Sequence, residues 1–200
     1  MRCLLIIYVK NPELGKVKSR LAKQIGNEQA LRVYIRLLQR TKDVVMEVSL
    51  EKRVSYSEEI VKGDLFEDEL FQKDVQHGHD LGLRMHHSFE KAFTDGYDKI
   101  CLIGSDNMEI TSSIIDDAFE MLAYKDAVFG PSKDGGYYLV GLTKPHKELF
   151  ENMQWSTREV LNQTIQRLQA RKISFGLLPI LNDIDEVEDI RESDRSYLLD

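Results

Sequence analysis

The sequence predicts a three-layer α/β/α sandwich with a mostly parallel sheet, and three observations predict it. Strand-length apolar runs alternate with helix-length amphipathic segments along all 200 residues. The first run, Cys3–Val9, is apolar throughout, as a parallel strand buried on both faces requires. No linker, internal repeat or low-complexity tract interrupts the alternation, so one domain over residues 1–200 is expected.

The elements follow in order. After Cys3–Val9 the chain turns at Asn11-Pro12 and passes Gly15. From 28 to about 47, Ala30, Leu31, Tyr34, Leu37, Leu38 and Val45 recur at helical spacing, with Asn27 as the expected N-cap. Residues 53–57 read as a short strand and 62–73 as polar and irregular. The helix expected over 80–94 carries Leu81, Met85, Phe89, Ala92 and Phe93 on one face, and Gly96 ends it. A second buried strand is expected at 100–103, then a helix over 111–124 capped by Thr111 or Ser112. Strands at 127–129 and Tyr137–Leu142 flank a glycine-rich loop. Ser156-Thr157-Arg158-Glu159 reads as a capping box opening a helix to 171. A late strand at 174–178 and a terminal helix over 186–199 complete the chain.

Composition narrows the function classes. With 42% hydrophobic residues the chain can bury a substantial core. No apolar run approaches the roughly 20 residues that span a bilayer, and the short N-terminal run is not followed by a signal-type cleavage site. Cys3 and Cys101 begin apolar runs and lack zinc-site spacing, as in a reduced, cytoplasmic protein. A net charge of −7 argues against non-specific nucleic-acid binding, yet leaves room for a small anion held by a local basic cluster.

In parallel sheets ligands bind beyond the carboxyl ends of the strands. That rule singles out residues 10–20, Gly104-Ser105-Asp106 and the 130–136 loop. Gly15-Lys16 is not a Walker A loop: position 10 is Lys where glycine is needed, and Val17 stands where Ser or Thr is needed. What remains is a strand-to-helix turn with Lys16, Lys18 and Arg20. This suits a polyphosphate, although a solvated basic turn has the same pattern. Asp106, Asp183 and Asp185 are hard oxygen ligands suited to Mg²⁺ or Mn²⁺. Alternatively, Asp106 caps the helix near Thr111 and Asp183 is a turn residue. Gly135 and Gly136, beside Asp134, permit positive φ and close backbone approach to a ligand, or form a plain hairpin turn. The histidines, His77, His79, His86 and His87, are not expected to bind a transition metal, because His86 and His87 diverge on a helix. Arg84 is expected in a surface salt bridge or on a phosphate, and Trp155 packed over a helix start. No Ser/His/Asp or Cys/His nucleophile set is legible.

Six segments, "NPELGKVKSRLA", "GHDLGLRM", "IGSDNMEIT", "GPSKDGGYYLVGL", "WST" and "NDIDEVEDI", resemble in order the DUF2064 family. This is a group of cofactor-guanylyltransferase-like and glycosyltransferase-like proteins in the nucleotide-diphospho-sugar transferase (GT-A) superfamily. The resemblance runs from Cys3 to about Ile190. It implies a GT-A fold, with Lys16, Lys18 and Arg20 on nucleotide phosphates and Asp106, Asp183 and Asp185 holding Mg²⁺ or Mn²⁺. Gly15 and Gly104 are expected on the nucleotide side, and Gly135 and Gly136 on the substrate-side wall. Two departures stand out. Asn107-Met108 replaces the relatives' Cys-Pro, which implies a less rigid loop after Asp106. The stretch from Asp185 to Asp189 lacks their capping threonine and proline. The implied activity is Mg²⁺-dependent nucleotidyl transfer from a nucleoside triphosphate to a small phosphorylated acceptor. The alternatives are glycosyl transfer from a nucleotide sugar, with Asp134 the one nameable base, and nucleotide binding without turnover.

Overall fold

The computed structural model describes residues 1–199. Its strands are β1 (Cys3–Val9), β2 (Glu51–Tyr56), β3 (Gln72–Val75), β4 (Lys99–Ile103), β5 (Ala127–Pro131), β6 (Tyr137–Leu142) and β7 (Phe175–Leu177). They form one sheet in the order β3-β2-β1-β4-β6-β5-β7. β6 alone runs against its neighbours; every other pairing is parallel. The helices are α1 (Ser19–Ile25), α2 (Asn27–Met46), α3 (Leu81–Thr94), α4 (Ser112–Met121), α5 (Val160–Ala170) and α6 (Glu192–Leu199).

Alternation along β1 builds the three layers, since successive side chains leave a strand on opposite faces. Leu5, Ile7 and Val9 join Tyr34 and Leu38 of α2 and Ile115 and Ala118 of α4. Leu4, Ile6 and Tyr8 join Met85 and Phe89 of α3 and Leu168 of α5. Each fully buried Leu or Ile contributes about 1.5–3 kcal/mol relative to exposure. A third cluster, Leu21, Val33 and Leu37 with Ile184, Ile190 and Leu198, fastens α1 and the C-terminal segment onto α2. The expected fold class therefore stands. Among the described residues no helix is long and apolar enough to cross a membrane.

Capping explains most boundaries. Asp80 accepts from the Leu83 N–H at 2.7 Å to start α3, and Thr111 starts α4 by accepting from Ile114. Three expectations are corrected. α2 is preceded by Gly26 at φ 84°, so Asn27 is its first helical residue and not its cap. Ser156 lies at φ 62° and α5 begins only at Val160 without a side-chain cap. Its early Leu161 N–H donates instead to the Gly135 carbonyl at 2.9 Å, so the hairpin loop does the capping. The terminal helix is split: a 3₁₀ turn, Val187–Asp189, precedes α6. β3 was unreadable because Gln-Lys-Asp-Val is polar; it exists by pairing with β2 at the sheet edge.

The opposite edge, β7, is fastened by Asp126. Its Oδ2 accepts from the Ser174 N–H at 3.1 Å and the Ser174 hydroxyl at 2.6 Å. These bonds hold the Asp126 carboxyl below its ordinary range. A depressed acid stabilises the fold above its unfolded pKa and loses that contribution as pH falls through the folded one. Asp126→Asn is therefore expected to cost about 1 kcal/mol at pH 7, the partial exposure of the pair keeping it this small. The gap from wild type should close as pH falls below the ordinary aspartate range and the wild-type acid protonates. Urea unfolding at pH 7 and below that range checks both.

Candidate functional site

The carboxyl ends of β1 and β4 open into a two-lobed crevice. Lys10 follows β1, and Gly104, Ser105 and Asp106 follow β4. The reversed β6 brings its amino end, Gly136 onward, to the same place. One lobe, of about 330 Å³, has an aromatic and apolar wall of Tyr8, Leu81, Met85, Tyr137 and Trp155. The other, of about 320 Å³, is polar and includes Lys18, Arg20 and Asp185. Lys10, Tyr34, Asp106 and Ser156 line both lobes, so the two adjoin.

Lys18 is the centre of the polar lobe. It is in the left-handed region (φ 48°, ψ 48°), just before α1, and its side chain is only 4% exposed. Its ammonium donates to the Ile184 carbonyl at 2.6 Å, lies 2.9 Å from Asp106 Oδ2 and 3.7 Å from Asp185 Oδ1. Arg20 Nη1 meets the other oxygen of Asp185 at 3.2 Å. Above them, the Tyr34 hydroxyl accepts from the Lys10 N–H at 2.7 Å and lies 3.3 Å from the Ser105 hydroxyl. Burial pushes the Tyr34 phenol well above its ordinary range, and Asp106 adds to this.

Lys18, Arg20, Asp106 and Asp185 thus meet, although 165 residues separate Arg20 from Asp185. Asp183 is beside them in a different role. Ser132 Oγ donates to its Oδ2 at 2.6 Å and Asn107 Nδ2 to its Oδ1 at 3.0 Å. Burial raises its pKa, and the Asp106 and Asp134 carboxylates raise it further. Asp134, Gly104 and Gly136 line the apolar lobe, and Asp134 Oδ1 accepts from the Gly136 N–H at 2.8 Å.

Other candidates fall outside. Lys16 pairs with Glu13 at 2.7 Å and is half exposed, away from both lobes. Gly15 (φ 77°) shapes the turn against the Asn27 side chain. Gly135 does adopt positive φ, 91°, but the backbone it approaches is that of Arg158 and not a ligand. Asp106 caps no helix, because Thr111 does. Arg84 makes no salt bridge among the described residues; it donates to the Gly78 carbonyl at 3.0 Å and to Gln76. Trp155 packs edge-on to Tyr137 and against Gly82 of α3, where a Cβ would collide with the indole.

The loop after Asp106 is not loose. Asn107 is 4% exposed, and its Oδ1 accepts from the Glu109 and Ile110 N–H groups at 2.8 and 2.9 Å while its amide holds Asp183. Likewise Glu186 and Asp189 form a reciprocal capping box that replaces the missing threonine. Sequence reading missed Tyr34, Asn107 and Ser132 as site builders; Tyr34 carries only the signal of a core helical position.

The carboxylates were also expected to hold Mg²⁺ or Mn²⁺. Oxygen donors are the correct type, but among the described residues no three carboxylate, imidazole or thiol groups converge at metal-binding distances. The Lys18 ammonium occupies the space that Asp106 and Asp185 would share around an ion. As they stand, these residues do not fit a resident divalent metal.

Because Asn107 satisfies two backbone donors and one buried carboxylate oxygen, Asn107→Ala is expected to cost roughly 2–3 kcal/mol, measured by urea unfolding.

Comparison with known proteins bears on the family and the fold. The chain is similar to a protein from Desulfovibrio desulfuricans, provisionally assigned as a nucleotide-diphospho-sugar transferase. The identity is 30% and the TM-score 0.84, over 98% of this chain and 91% of the other. It shares the fold of the inositol-1-phosphate CTP transferase from T. maritima, at 16% identity and TM-score 0.62, over 99% and 95% of the two chains. It shares it too with a Mycobacterium tuberculosis protein solved as a manganese complex, at 9% identity and TM-score 0.55, over 100% and 98%. A search of curated proteins finds no match. The model of DUF2064, described as an uncharacterized protein conserved in bacteria, matches residues 29–157. The fold is that of the nucleotide-diphospho-sugar transferases, and the chain belongs to the DUF2064 family.

Proposed function

We propose that the protein is a nucleotidyltransferase, moving a nucleoside monophosphate from a nucleoside triphosphate to a small phosphorylated acceptor. One observation carries this reading: Lys18 and Arg20 meet Asp106 and Asp185 at the carboxyl ends of β1 and β4. An acceptor phosphate oxygen attacks the α-phosphorus; the bond to the bridging oxygen of the β-phosphate breaks, and pyrophosphate leaves. An anionic acceptor needs no general base. Lys18 and Arg20 neutralise charge growing on the leaving group in a partly water-excluded lobe, where such contacts act most strongly. The nucleotide brings its divalent ion as part of the substrate, and that ion supplies further charge neutralisation when bound. Asp183, with both oxygens engaged, positions the loops and is not assigned to the ion. The aromatic lobe gives an uncharged part of one substrate an apolar wall.

Glycosyl transfer from a nucleotide sugar is the second reading. It is favoured by Asp134, a carboxylate on the wall of the apolar lobe and within reach of a hydroxyl acceptor.

Product analysis with Mg²⁺, nucleoside triphosphates and a panel of phosphorylated small molecules separates the two. Pyrophosphate release is expected; nucleoside diphosphate released from a nucleotide sugar instead transfers the assignment to the second reading. Arg20→Ala and Asp106→Asn should lower kcat/KM by about 10²-fold or more. Lys16→Ala, outside the crevice, should change it by less than about threefold. A thermal-shift screen in which no nucleotide raises the melting temperature would sink both readings.

A further inference from the structure

The metal expected for this fold and the cup formed by Asp106 and Asp185 disagree, and the disagreement identifies a role for Lys18. Its ammonium is 2.9 Å from Asp106 Oδ2 and 3.7 Å from Asp185 Oδ1, with the Ile184 carbonyl 2.6 Å away. Three oxygens of an Mg²⁺-type donor set therefore already surround a cation, one supplied by the chain. The arrangement is held from several sides. The Ile184 N–H donates to the Asp106 carbonyl at 2.9 Å, the Ile184 side chain is buried in the cluster that fastens α1, and Asp189 accepts from the Asp185 N–H at 3.0 Å. Lys18 is held at a left-handed backbone position that side chains other than glycine rarely adopt, as happens where surrounding contacts over-determine a residue.

Charge balance points the same way. Lys18 and Arg20 against Asp106 and Asp185 sum to zero. A divalent ion added alone sets two positive charges against a buried ammonium. A bare polyphosphate added alone sets several negative charges against two carboxylates. A metal–polyphosphate adds both together, and its phosphate oxygens can take the ammonium while its metal takes the vacated carboxylates.

We propose that Lys18 is the resident cation of this cup, so that the ligand-free protein holds no divalent ion there and metal reaches Asp106 and Asp185 only with a polyphosphate that draws Lys18 away. The proposal rests on the crevice being a nucleotide site, and it makes metal and nucleotide binding mutually reinforcing.

Manganese alone is the probe, followed by loss of the free-ion paramagnetic resonance signal and by thermal melting, without nucleotide. The wild-type protein is expected to leave the signal and the melting temperature unchanged into the millimolar range. Lys18→Met should acquire one site at least about tenfold tighter, a coupling of ordinary size, and manganese should raise its melting temperature. Adding Asp185→Asn to Lys18→Met should remove the new site. Submillimolar manganese binding by the ligand-free wild type overturns the proposal, and so does a folded Lys18→Met that gains no site. If Lys18→Met does not fold, Lys18→Gly, which relieves the left-handed backbone, is measured in its place with the same two outcomes. These results need no turnover. Absence of any nucleotide binding would remove the functional reading while leaving the manganese comparison of wild type and variant to be read for the lysine.

Discussion

A buried lysine ammonium must be surrounded by oxygen, and Lys18 meets that demand with groups from two distant parts of the chain. The Ile184 carbonyl lies 166 residues away, Asp106 follows the central strand β4, and Asp185 belongs to the C-terminal segment. Removing one partner of a fully buried ion pair costs about 3–5 kcal/mol. Here Asp106 and Asp185 are each 41% exposed, which lowers the figure but not the geometric constraint.

A second set of bonds fixes what surrounds that ion cluster. Asp183 is gripped by Asn107 from the loop after β4 and by Ser132 from the hairpin between β5 and β6. Short bridges, Asn107 to Asp183 and Ser132 to Leu181, continue the sheet's hydrogen bonding into these loops. Each bond satisfies a group that would otherwise be buried unpaired. The floor of the crevice is consequently stiffer than its loop composition suggests.

The apolar lobe is the complement of this polar one. Gly82 lets α3 approach Trp155, and Trp155 meets Tyr137 edge-on. Tyr137 begins the one reversed strand, so the antiparallel insertion of β6 turns an aromatic side chain and the Asp134 carboxylate toward the carboxyl ends of the parallel strands. A charged lobe and an apolar lobe thereby lie on either side of Asp106, which lines both.

Much of this was legible in the residues. The apolar run at Cys3–Val9 can be buried only between two helical layers, and the spacing of Tyr34, Leu37 and Leu38 can be buried only as a helix, so the layers and their order follow from local pattern. Thr111 announced its helix because a side-chain oxygen at that position satisfies orphan N–H groups wherever the helix docks. The failures share one cause. Ser156 to Glu159 has the letters of a capping box, but Gly135 reaches the start of α5 first. Gln72 to Val75 is polar and becomes a strand only against β2. Lys16 and Lys18 are equivalent cations in the sequence, yet one faces Glu13 at the surface and the other is buried between Asp106 and Asp185. Short-range pattern settles secondary structure because those contacts lie within a few residues. Which charge is buried, which glycine is crowded by backbone and which carboxylate is already satisfied depend on partners many tens of residues away, and only the folded chain brings those together.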